Sequence, residues 1–404
     1  MALELKRRGN LVTVATAEFY RAKVEGLGIG FQPIRPNWDP TDRELIAQCE
    51  SLKSGLEVLY RKMLLPELKG TYDDLLQVAA GADLLIAGEL VFAAPLVAEK
   101  LGLPWVSAML SPFSFFSSHD PSVTVNMPHL IHLRRLGWRA YRAGLSVGRI
   151  AVRHWSNPVR RLRRELGLRV ECDPVFRDKF SPGLVLALFT HCLAEPQPDW
   201  PAQTLQPGFV HYDREHGGDW KCREWLEFVA RGAAPIVFTL GSTAVHHPAD
   251  FFEVSAASAK ALGRRAVLVG AGEGGWAVSK DILALPYAPY SEVFAAAAVV
   301  VHQGGSGTTG QALRAGRPML VVPYGWDQPD NGARIERLGL GVCLPRSEYS
   351  VRRAMAALER LLGDGNFAAR AEAVGALVRA EEGLGGACDA IEAVWHEGPA
   401  VSRR

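Results

Sequence analysis

The second half of the chain contains five short apolar runs separated by longer segments of helical character. Each run is apolar on both faces, which is typical of a strand covered by helices on both sides. Such strands form parallel sheets, because each helical connection returns the chain to the same end of the sheet. We therefore predict a parallel α/β domain. Its predicted strands are Ile236–Leu240, Ala266–Val269, Ala298–Val301, Met319–Val322 and Gly341–Leu344.

The first half shows a similar alternation of helices and strands, so it is predicted to be a second Rossmann-like domain. A chain of 404 residues exceeds the usual size of one core, which also favours two domains. The predicted division is a first domain at 1–205, a linker at 206–220 and a second domain at 221–404, with the last helix placed to pack back on the first domain. Predicted strands of the first half are Leu11–Thr16, Asp83–Ala87 and Pro104–Met109, with a helix at Ala93–Lys100 and a long helical stretch near 41–80.

Composition and charge exclude several classes of protein. The 48% hydrophobic and 22% charged residues are those of a globular protein, and a net charge of +2 gives no reason to expect a nucleic-acid partner. The six cysteines are scattered without zinc-site spacing, and residues 1–9 lack the features of a signal peptide. We therefore expect a cytoplasmic protein without a membrane-spanning segment.

Ten arginines lie between Arg134 and Arg164, in helices that follow an aromatic loop. A solvated helix face explains such a run, and a surface attracted to anionic lipid is the alternative. Contact with a membrane surface through residues 134–164 is therefore one expectation.

A glycine-rich segment, His302–Gly316, follows the predicted strand that ends at Val301. The free N–H groups and the positive dipole end of the helix that it enters favour an anion such as phosphate. Gly304, Gly305 and Gly307 allow the backbone to approach that anion closely, and His302 adds a hydrogen-bond donor. Because glycine-rich turns also occur for purely structural reasons, this motif alone leaves both interpretations open.

A second polar loop follows the next predicted strand and contains Trp326, Asp327 and Gln328. Loops at the carboxyl ends of neighbouring parallel strands lie side by side, where open α/β sheets bind ligands. The carboxylate of Asp327 and the amide of Gln328 suit sugar hydroxyls, although Asp327 could instead be a helix N-cap.

Residues 281–340 resemble the donor-binding signature of the family 1 glycosyltransferases of GT-B fold, and the resemblance extends over nearly the whole chain. It implies two Rossmann-like domains that face each other across a cleft. It also implies an inverting, metal-independent transfer of a hexose, of glucose or rhamnose type, from a UDP- or dTDP-sugar to a hydroxyl of a small lipophilic acceptor such as a flavonoid, sterol, macrolide or lipid. The donor-binding residues that the resemblance implies are Ser242, Tyr287, Ala288, His302, Gly304, Gly305, Ser306, Gly307, Thr308, Gln311, Trp326, Asp327 and Gln328.

Within that set, Tyr287 is implied to stack on the base, whose edge pairs with the backbone of Ala288. The chain departs from the family at Gln311, where many relatives carry a glutamate that accepts from both ribose hydroxyls. A glutamine offers one acceptor oxygen and an amide donor. A dTDP-sugar, which lacks the 2′-hydroxyl, is therefore as well matched as a UDP-sugar.

The catalytic base of the family is a histidine in a loop after the first strand of the first domain. The sequence is similar to the family only from the helix at Ala2–Gly9 onward, so no histidine here takes that role by position. The first strand and this loop are expected to be missing, which would leave a gap beside Leu11–Thr16 and an unstable or impaired enzyme. Glu89 is the nearest candidate for the carboxylate that partners the base.

The acceptor is expected to contact the first domain, where Phe113, Phe115 and Phe116 are candidate lining residues, with an ordinary core position as the alternative for each. Two other functions are alternatives. One is a catalytically silent nucleotide-sugar-binding homologue. The other, a nicotinamide-dependent oxidoreductase, is weaker because the first domain lacks a G-x-G-x-x-G turn between a strand and a helix.

Overall fold

The computed structural model describes residues 1–39, 41–51, 54–124, 130–212, 223–241, 244–271 and 279–397. They form two compact units. Unit 1 comprises Met1–Asp42, Lys53–Val210 and Glu382–Arg404, and unit 2 comprises Arg43–Leu52 and His211–Glu381. Residues 43–52 therefore group with the second half of the chain, and the last helix groups with the first half.

The strands of the two units are all short. They are β1 (Thr13–Thr16), β2 (Gly30–Pro33), β3 (Leu85–Gly88), β4 (Trp105–Met109), β5 (Leu184–Ala187) and β6 (Thr204–Leu205) in unit 1, and β7 (Ile236–Thr239), β8 (Ala266–Val269), β9 (Ile282–Leu285), β10 (Val299–His302), β11 (Met319–Val321) and β12 (Gly341–Cys343) in unit 2.

Helices connect most of these strands. They are α1 (Ala2–Arg7), α2 (Arg21–Gly26), α3 (Arg43–Cys49), α4 (Gly55–Glu57), α5 (Leu68–Ala79), α6 (Ala94–Leu101), α7 (Leu130–Leu133), α8 (Trp138–Ala151), α9 (Asn157–Glu165), α10 (Arg223–Ala230), α11 (Phe251–Ala261), α12 (Tyr290–Val293), α13 (Ser306–Ala315), α14 (Gln328–Arg337), α15 (Val351–Gly363), α16 (Gly365–Ala380) and α17 (Gly383–Glu397). Short 3₁₀ turns lie at Glu18–Tyr20, Pro112–Phe115, Arg134–Leu136, Arg153–Ser156, Ala244–His246 and Arg346–Glu348, and a π-helix spans Val58–Leu64.

Unit 2 is built on one six-stranded sheet with the order β12-β11-β10-β7-β8-β9, and all of its neighbouring strands are parallel. The five strands predicted for this half are confirmed. Strand β9, at the edge of the sheet, was not predicted, although all four of its residues are apolar.

The order of the strands in unit 2 reverses between β7 and β10. At such a switch point the two connections leave in opposite directions and open a crevice at the carboxyl ends of the strands. The loops that follow β7 and β10 meet here: a Cβ atom on Gly241 would lie 2.3 Å from Gln303 Nε2 and 3.0 Å from Thr308 Oγ1.

Unit 1 contains two parallel sheets, a pair β1-β2 and a four-stranded sheet β3-β4-β5-β6. The three strands predicted in this half correspond to β1, β3 and β4. The long helical stretch predicted near 41–80 is wrong as one helix, since it is divided into α3, α4, the π-helix and α5; Pro66, which has no N–H to donate, precedes α5.

Helix α17 packs in unit 1, where Ala387, Cys388 and Ile391 join the core formed by strands β4 and β5. Arg8, at the C-terminal end of α1, forms ion pairs with Asp389 and Glu392 of this helix. Among the helices that the structure describes, none is both long and apolar enough to cross a membrane.

Candidate functional site

The turn from β10 into α13 has the geometry of an anion site. Gly304 has φ +91°, in the left-handed region that favours glycine, and Gly305 is the extended residue that precedes the helix. A Cβ atom on Gly304 would lie 2.7 Å from Val321 Cγ1 and 3.0 Å from the Gln328 carbonyl oxygen. The glycine therefore permits both the turn and the close approach of the neighbouring loop. The N-terminus of the ten-residue helix α13 follows at Ser306.

His302 lies at the carboxyl end of β10 and is fully buried. Burial lowers the pKa of His302 to about 3, so the ring is neutral at physiological pH. Its Nδ1 accepts a hydrogen bond from the Gly304 N–H at 3.0 Å, which places the ring proton on Nε2. That Nε2–H has no hydrogen-bond partner among the residues of the described ranges. A buried donor without a partner is costly unless a ligand satisfies it.

The loops after β10 and β11 lie side by side, as predicted. Ser306 Oγ donates to Asp327 Oδ2 at 2.8 Å, and Asn331 Nδ2 donates to the Gly304 carbonyl oxygen at 2.8 Å. Asn331 Nδ2 also lies 2.9 Å from Asp327 Oδ2. These contacts hold the glycine-rich turn against the start of α14.

Asp327 stands at the N-cap position of α14 but makes no capping hydrogen bond with its side chain. The alternative role as a helix cap is therefore not the one adopted; its carboxylate faces Ser306 and Asn331 instead. Gln328 differs from the prediction in one respect. Its Oε1 accepts from the N–H groups of Tyr324 and Gly325, at 2.7 and 3.2 Å, so only its amide nitrogen is left to contact a ligand.

Residues 43–50 pack against this second loop within unit 2. Trp326, which has φ +58°, donates from Nε1 to the Cys49 carbonyl oxygen at 2.9 Å. A Cβ atom on Gly325 would lie 3.0 Å from the Glu50 carbonyl oxygen. Neither carboxylate oxygen of the buried Glu50 has a partner in the part of the chain that is described. Burial raises the pKa of Glu50 to about 7. Nothing in the spacing of the sequence indicated this contact.

Three further polar atoms near α13 are buried without a partner in the described segments. They are Gln303 Oε1, Thr309 Oγ1 and Gln311 Oε1. Gln311 was predicted as a ribose contact, and its unpartnered oxygen is an available acceptor. Gln303 was missed by sequence reasoning; the signal was its position, next to His302 at the end of an apolar strand.

The loop after β9 carries the predicted base-binding residues. Tyr287 is partly buried and Ala288 is buried. The helix that follows is tied to the end of β7, since Tyr290 Oη lies 2.9 Å from Thr239 Oγ1. Ser242, the remaining predicted donor contact, lies outside the described residues.

In unit 1, Glu89 follows β3 and both of its oxygens are engaged. Oε2 lies 2.8 Å from Nζ of the buried Lys179, and Oε1 accepts from Ser114 Oγ at 2.6 Å. Lys179 is 3% exposed, so this carboxylate supplies the counter-charge that a buried ammonium requires. The catalytic role of Glu89 stays a prediction.

The three phenylalanines of the aromatic loop differ in environment. Phe115 is buried and stacks on Trp200 with ring centroids 4.1 Å apart, so its predicted place in the acceptor lining is wrong and it belongs to the core. Phe113 and Phe116 are partly exposed, with their rings 5.3 Å apart. Phe116 has φ +48°, and the ammonium of Lys179 lies 4.8 Å from its ring.

Comparison with known proteins points to one family. Residues 269–382 match the model of the erythromycin biosynthesis protein CIII-like C-terminal domain. The chain is 30% identical over 419 residues to O-mycaminosyltylonolide 6-deoxyallosyltransferase of Streptomyces fradiae, covering 97% of this chain and 92% of that protein. It is 28% identical to sterol 3-beta-glucosyltransferase of Neosartorya fischeri, over 96% of this chain but only 28% of that protein.

Solved structures show the same fold. The calicheamicin glycosyltransferase CalG4 superposes with a TM-score of 0.71 at 19% identity, covering 99% of this chain and 94% of that one. The spinosyn rhamnosyltransferase SpnG, complexed with thymidine diphosphate, superposes with a TM-score of 0.64 at 20% identity, covering 93% and 90%. With its two Rossmann-like domains and this likeness over its whole length, the chain belongs to the family 1 glycosyltransferases of GT-B fold.

Proposed function

We propose that the chain transfers a hexose, of glucose or rhamnose type, from a UDP- or dTDP-sugar to a hydroxyl of a small lipophilic acceptor, with inversion and without a metal ion. The observation that carries the proposal is the buried Nε2–H of His302, which has no partner in the described part of the chain. It lies at a strand end beside a helix N-terminus, where a diphosphate is the matched ligand. Similarity to a macrolide-type transferase supports the choice of reaction.

In this proposal the turn from β10 to α13 binds the diphosphate. As the nucleotide leaves, negative charge grows on its phosphates, and the helix N-terminus and the His302 donor stabilise it. This electrostatic role is the one that a divalent ion has in other transferases. The diphosphate contacts are His302, Gly304, Gly305, Ser306, Gly307 and Thr308, with Ser242 as a further contact.

The sugar is proposed to contact Trp326, the carboxylate of Asp327 and the amide nitrogen of Gln328. Tyr287 and Ala288 are proposed to bind the base. In unit 1, Phe113 and Phe116 remain the proposed acceptor contacts, which suits the macrolide and sterol acceptors named for two relatives. No residue of this chain is assigned as the catalytic base.

Gln311 is proposed to accept a dTDP donor as well as a UDP donor, because its single acceptor oxygen gains little from a 2′-hydroxyl. We expect Gln311→Glu to improve the binding of UDP relative to dUDP by about tenfold, since a carboxylate accepts from both ribose hydroxyls. Competition calorimetry with UDP, dUDP and dTDP measures this ratio. UDP and dUDP differ only in the 2′-hydroxyl, so comparing them leaves out the effect of the thymine methyl group. An unchanged ratio of UDP to dUDP affinity in the variant would contradict the role assigned to Gln311.

A catalytically silent nucleotide-sugar-binding homologue is the second candidate, since no base is assigned. The two are distinguished by incubating the chain with dTDP-glucose or UDP-glucose and a panel of hydroxylated acceptors. Release of nucleotide diphosphate that depends on an acceptor supports the enzyme. Tight donor binding without release supports the silent homologue.

Membrane-surface contact is proposed for residues 134–164, with the protein otherwise in the cytoplasm. No acidic residue occurs from 121 to 164, and Leu136, Val147 and Ile150 are exposed beside the arginines. Each arginine near an anionic surface contributes about 1 kcal/mol. We expect sedimentation with phosphatidylserine-containing vesicles, lost in about 0.5 M salt and weakened about 30-fold in the double variant Arg134→Gln/Arg139→Gln. Equal sedimentation with neutral vesicles would refute the proposal.

A further inference from the structure

Unit 1 contains a cavity of about 850 Å³ that none of the predicted donor-binding, acceptor-binding or catalytic residues lines. Its walls come from the end of α8, the 3₁₀ turn at Arg153–Ser156, the start of α9 and the segment 169–180. A volume of this size accommodates a drug-sized molecule. The chemistry of the lining indicates which class of molecule fits.

The lining of the cavity is rich in cationic side chains. Five arginines line it: Arg149, Arg153, Arg160, Arg169 and Arg177. Arg149 is ion-paired with Asp173, and Arg169 lies 3.9 Å from Glu171. No ion pair within 4.0 Å is found for Arg153, Arg160 or Arg177 across the described residues, although Arg177 is close enough to Asp178 to act on the pKa of that carboxyl.

The guanidinium of Arg160 is held in position by neutral groups. It donates to the carbonyl oxygens of Arg153 and Cys172, at 3.2 and 3.4 Å, and to Asn157 Oδ1 at 3.1 Å. These contacts orient the cation without neutralising it. A guanidinium fixed in this way is suited to a carboxylate or phosphate of a ligand.

The acids of the cavity do not cancel this charge. Asp173 is already paired with Arg149, and Asp178 Oδ2 accepts from the Asp173 N–H at 2.6 Å. Desolvation raises the pKa of Asp178. With three acids against five arginines the cavity remains cationic.

The lining also contains apolar residues, and some of these reach the aromatic loop. The apolar residues are Ile150, Val152, Val175, Phe176 and Phe180. The ring of Phe176 lies 4.9 Å from that of Phe116, a proposed acceptor contact, and Phe180 stacks on Phe115 at 5.5 Å. Phe115, although itself in the core, therefore supports a ring of the cavity wall.

We propose that this cavity binds the acceptor and selects one whose apolar body carries an anionic group, a carboxylate or phosphate, that contacts Arg153, Arg160 and Arg177. The inference rests on the proposed transfer to a small lipophilic acceptor and adds the charge of that acceptor. In this proposal the apolar lining residues contact the body of the acceptor, and the arginines contact its anionic group.

Calorimetric titration of the full chain with 1-naphthyl phosphate, 1-naphthol and inorganic phosphate tests the proposal. We expect naphthyl phosphate to bind at least about tenfold more tightly than either of the other two probes. Only naphthyl phosphate can contact both the arginines and the apolar residues of the cavity. Equal binding of naphthyl phosphate and naphthol would overturn the role of the arginines. Equal binding of inorganic phosphate would reveal an anion patch only, and no binding of any probe would overturn the site.

The double variant Arg153→Gln/Arg177→Gln is expected to lose about tenfold in affinity for naphthyl phosphate and none for naphthol. The control Arg264→Gln/Arg352→Gln removes the same charge at exposed positions of unit 2, outside the cavity, and should change neither. An equal loss in the control would mean general surface attraction and contradict the proposal. Titration of dTDP in parallel separates the two hypotheses: dTDP binding without naphthyl phosphate binding refutes the acceptor inference alone, whereas loss of dTDP binding refutes the proposed function.

Discussion

Replacing His302 by alanine is expected to weaken the binding of nucleoside diphosphates by about 10- to 100-fold. The ring is neutral because burial lowers its pKa to about 3, and Gly304 fixes its tautomer so that Nε2 carries the proton. A hydrogen bond from that atom to a charged phosphate contributes about 1.5–3 kcal/mol. Calorimetry with UDP and dTDP measures the loss. Since the ring stays neutral, the contribution of His302 should be constant from about pH 5 to 8.

The control for this variant is the nucleoside without its phosphates. Uridine and thymidine should bind His302→Ala as they bind the unaltered protein, because His302 is proposed to contact only the diphosphate. His302 is fully buried, so urea unfolding of the variant must accompany the titration. A folded His302→Ala protein that retains full affinity for the diphosphates would remove His302 from the donor site.

Glu50→Gln is expected to stabilise the protein at pH 8 and to remove a pH dependence of stability. Because burial raises the pKa of Glu50 from 4.5 to about 7, the folded chain holds a proton that the unfolded chain has released. The contribution of Glu50 to the free energy of unfolding is therefore largest below about pH 4.5. It declines by about 3 kcal/mol in total as the pH rises to about 7. Glutamine carries no charge and avoids this cost.

Urea unfolding at pH 5 and pH 8 measures this effect. At pH 8 Glu50→Gln should exceed the unaltered protein by about 2 kcal/mol, after about 1 kcal/mol is lost to the buried amide. At pH 5 the difference should disappear. Glu253→Gln, a substitution at an exposed position of α11, should leave the pH dependence unchanged. A Glu50→Gln protein with the same pH dependence as the unaltered chain would show that Glu50 is not buried as described.

The parts of the fold that local patterns determine were predictable from the sequence. Strands β7, β8, β10 and β11 are buried on both faces, so a short apolar run between helices was sufficient to identify each one. The edge strand β12 is only partly buried, but the same kind of apolar run identified it. Helix α13 was bounded by glycine at both ends, and Gly316 adopts the left-handed conformation expected at a helix C-terminus. The adjacency of the loops after β10 and β11 followed from parallel topology alone.

Features that depend on contacts between distant segments were not predictable. Gln328 is a local exception: its side-chain Oε1 accepts from backbone N–H groups only 3 to 4 residues away, yet its sequence context is that of a free loop residue. Glu50 meets Gly325 across some 275 residues. Phe115 and Phe116 are neighbours in one aromatic loop, and only packing against Trp200 and Phe176 distinguishes the core residue from the partly exposed one.

The central claim is that unit 2 binds a nucleotide sugar through the turn between β10 and α13. Calorimetric titration of the purified chain with dTDP, UDP, dTDP-glucose and UDP-glucose tests it most directly. We expect at least one of the nucleotides to bind with a Kd in the range of about 1–100 μM, and the corresponding nucleoside to bind at least about tenfold more weakly, since the diphosphate supplies the charged contacts. Folded protein that binds none of the four, or that binds the nucleoside and the diphosphate equally, would contradict the account.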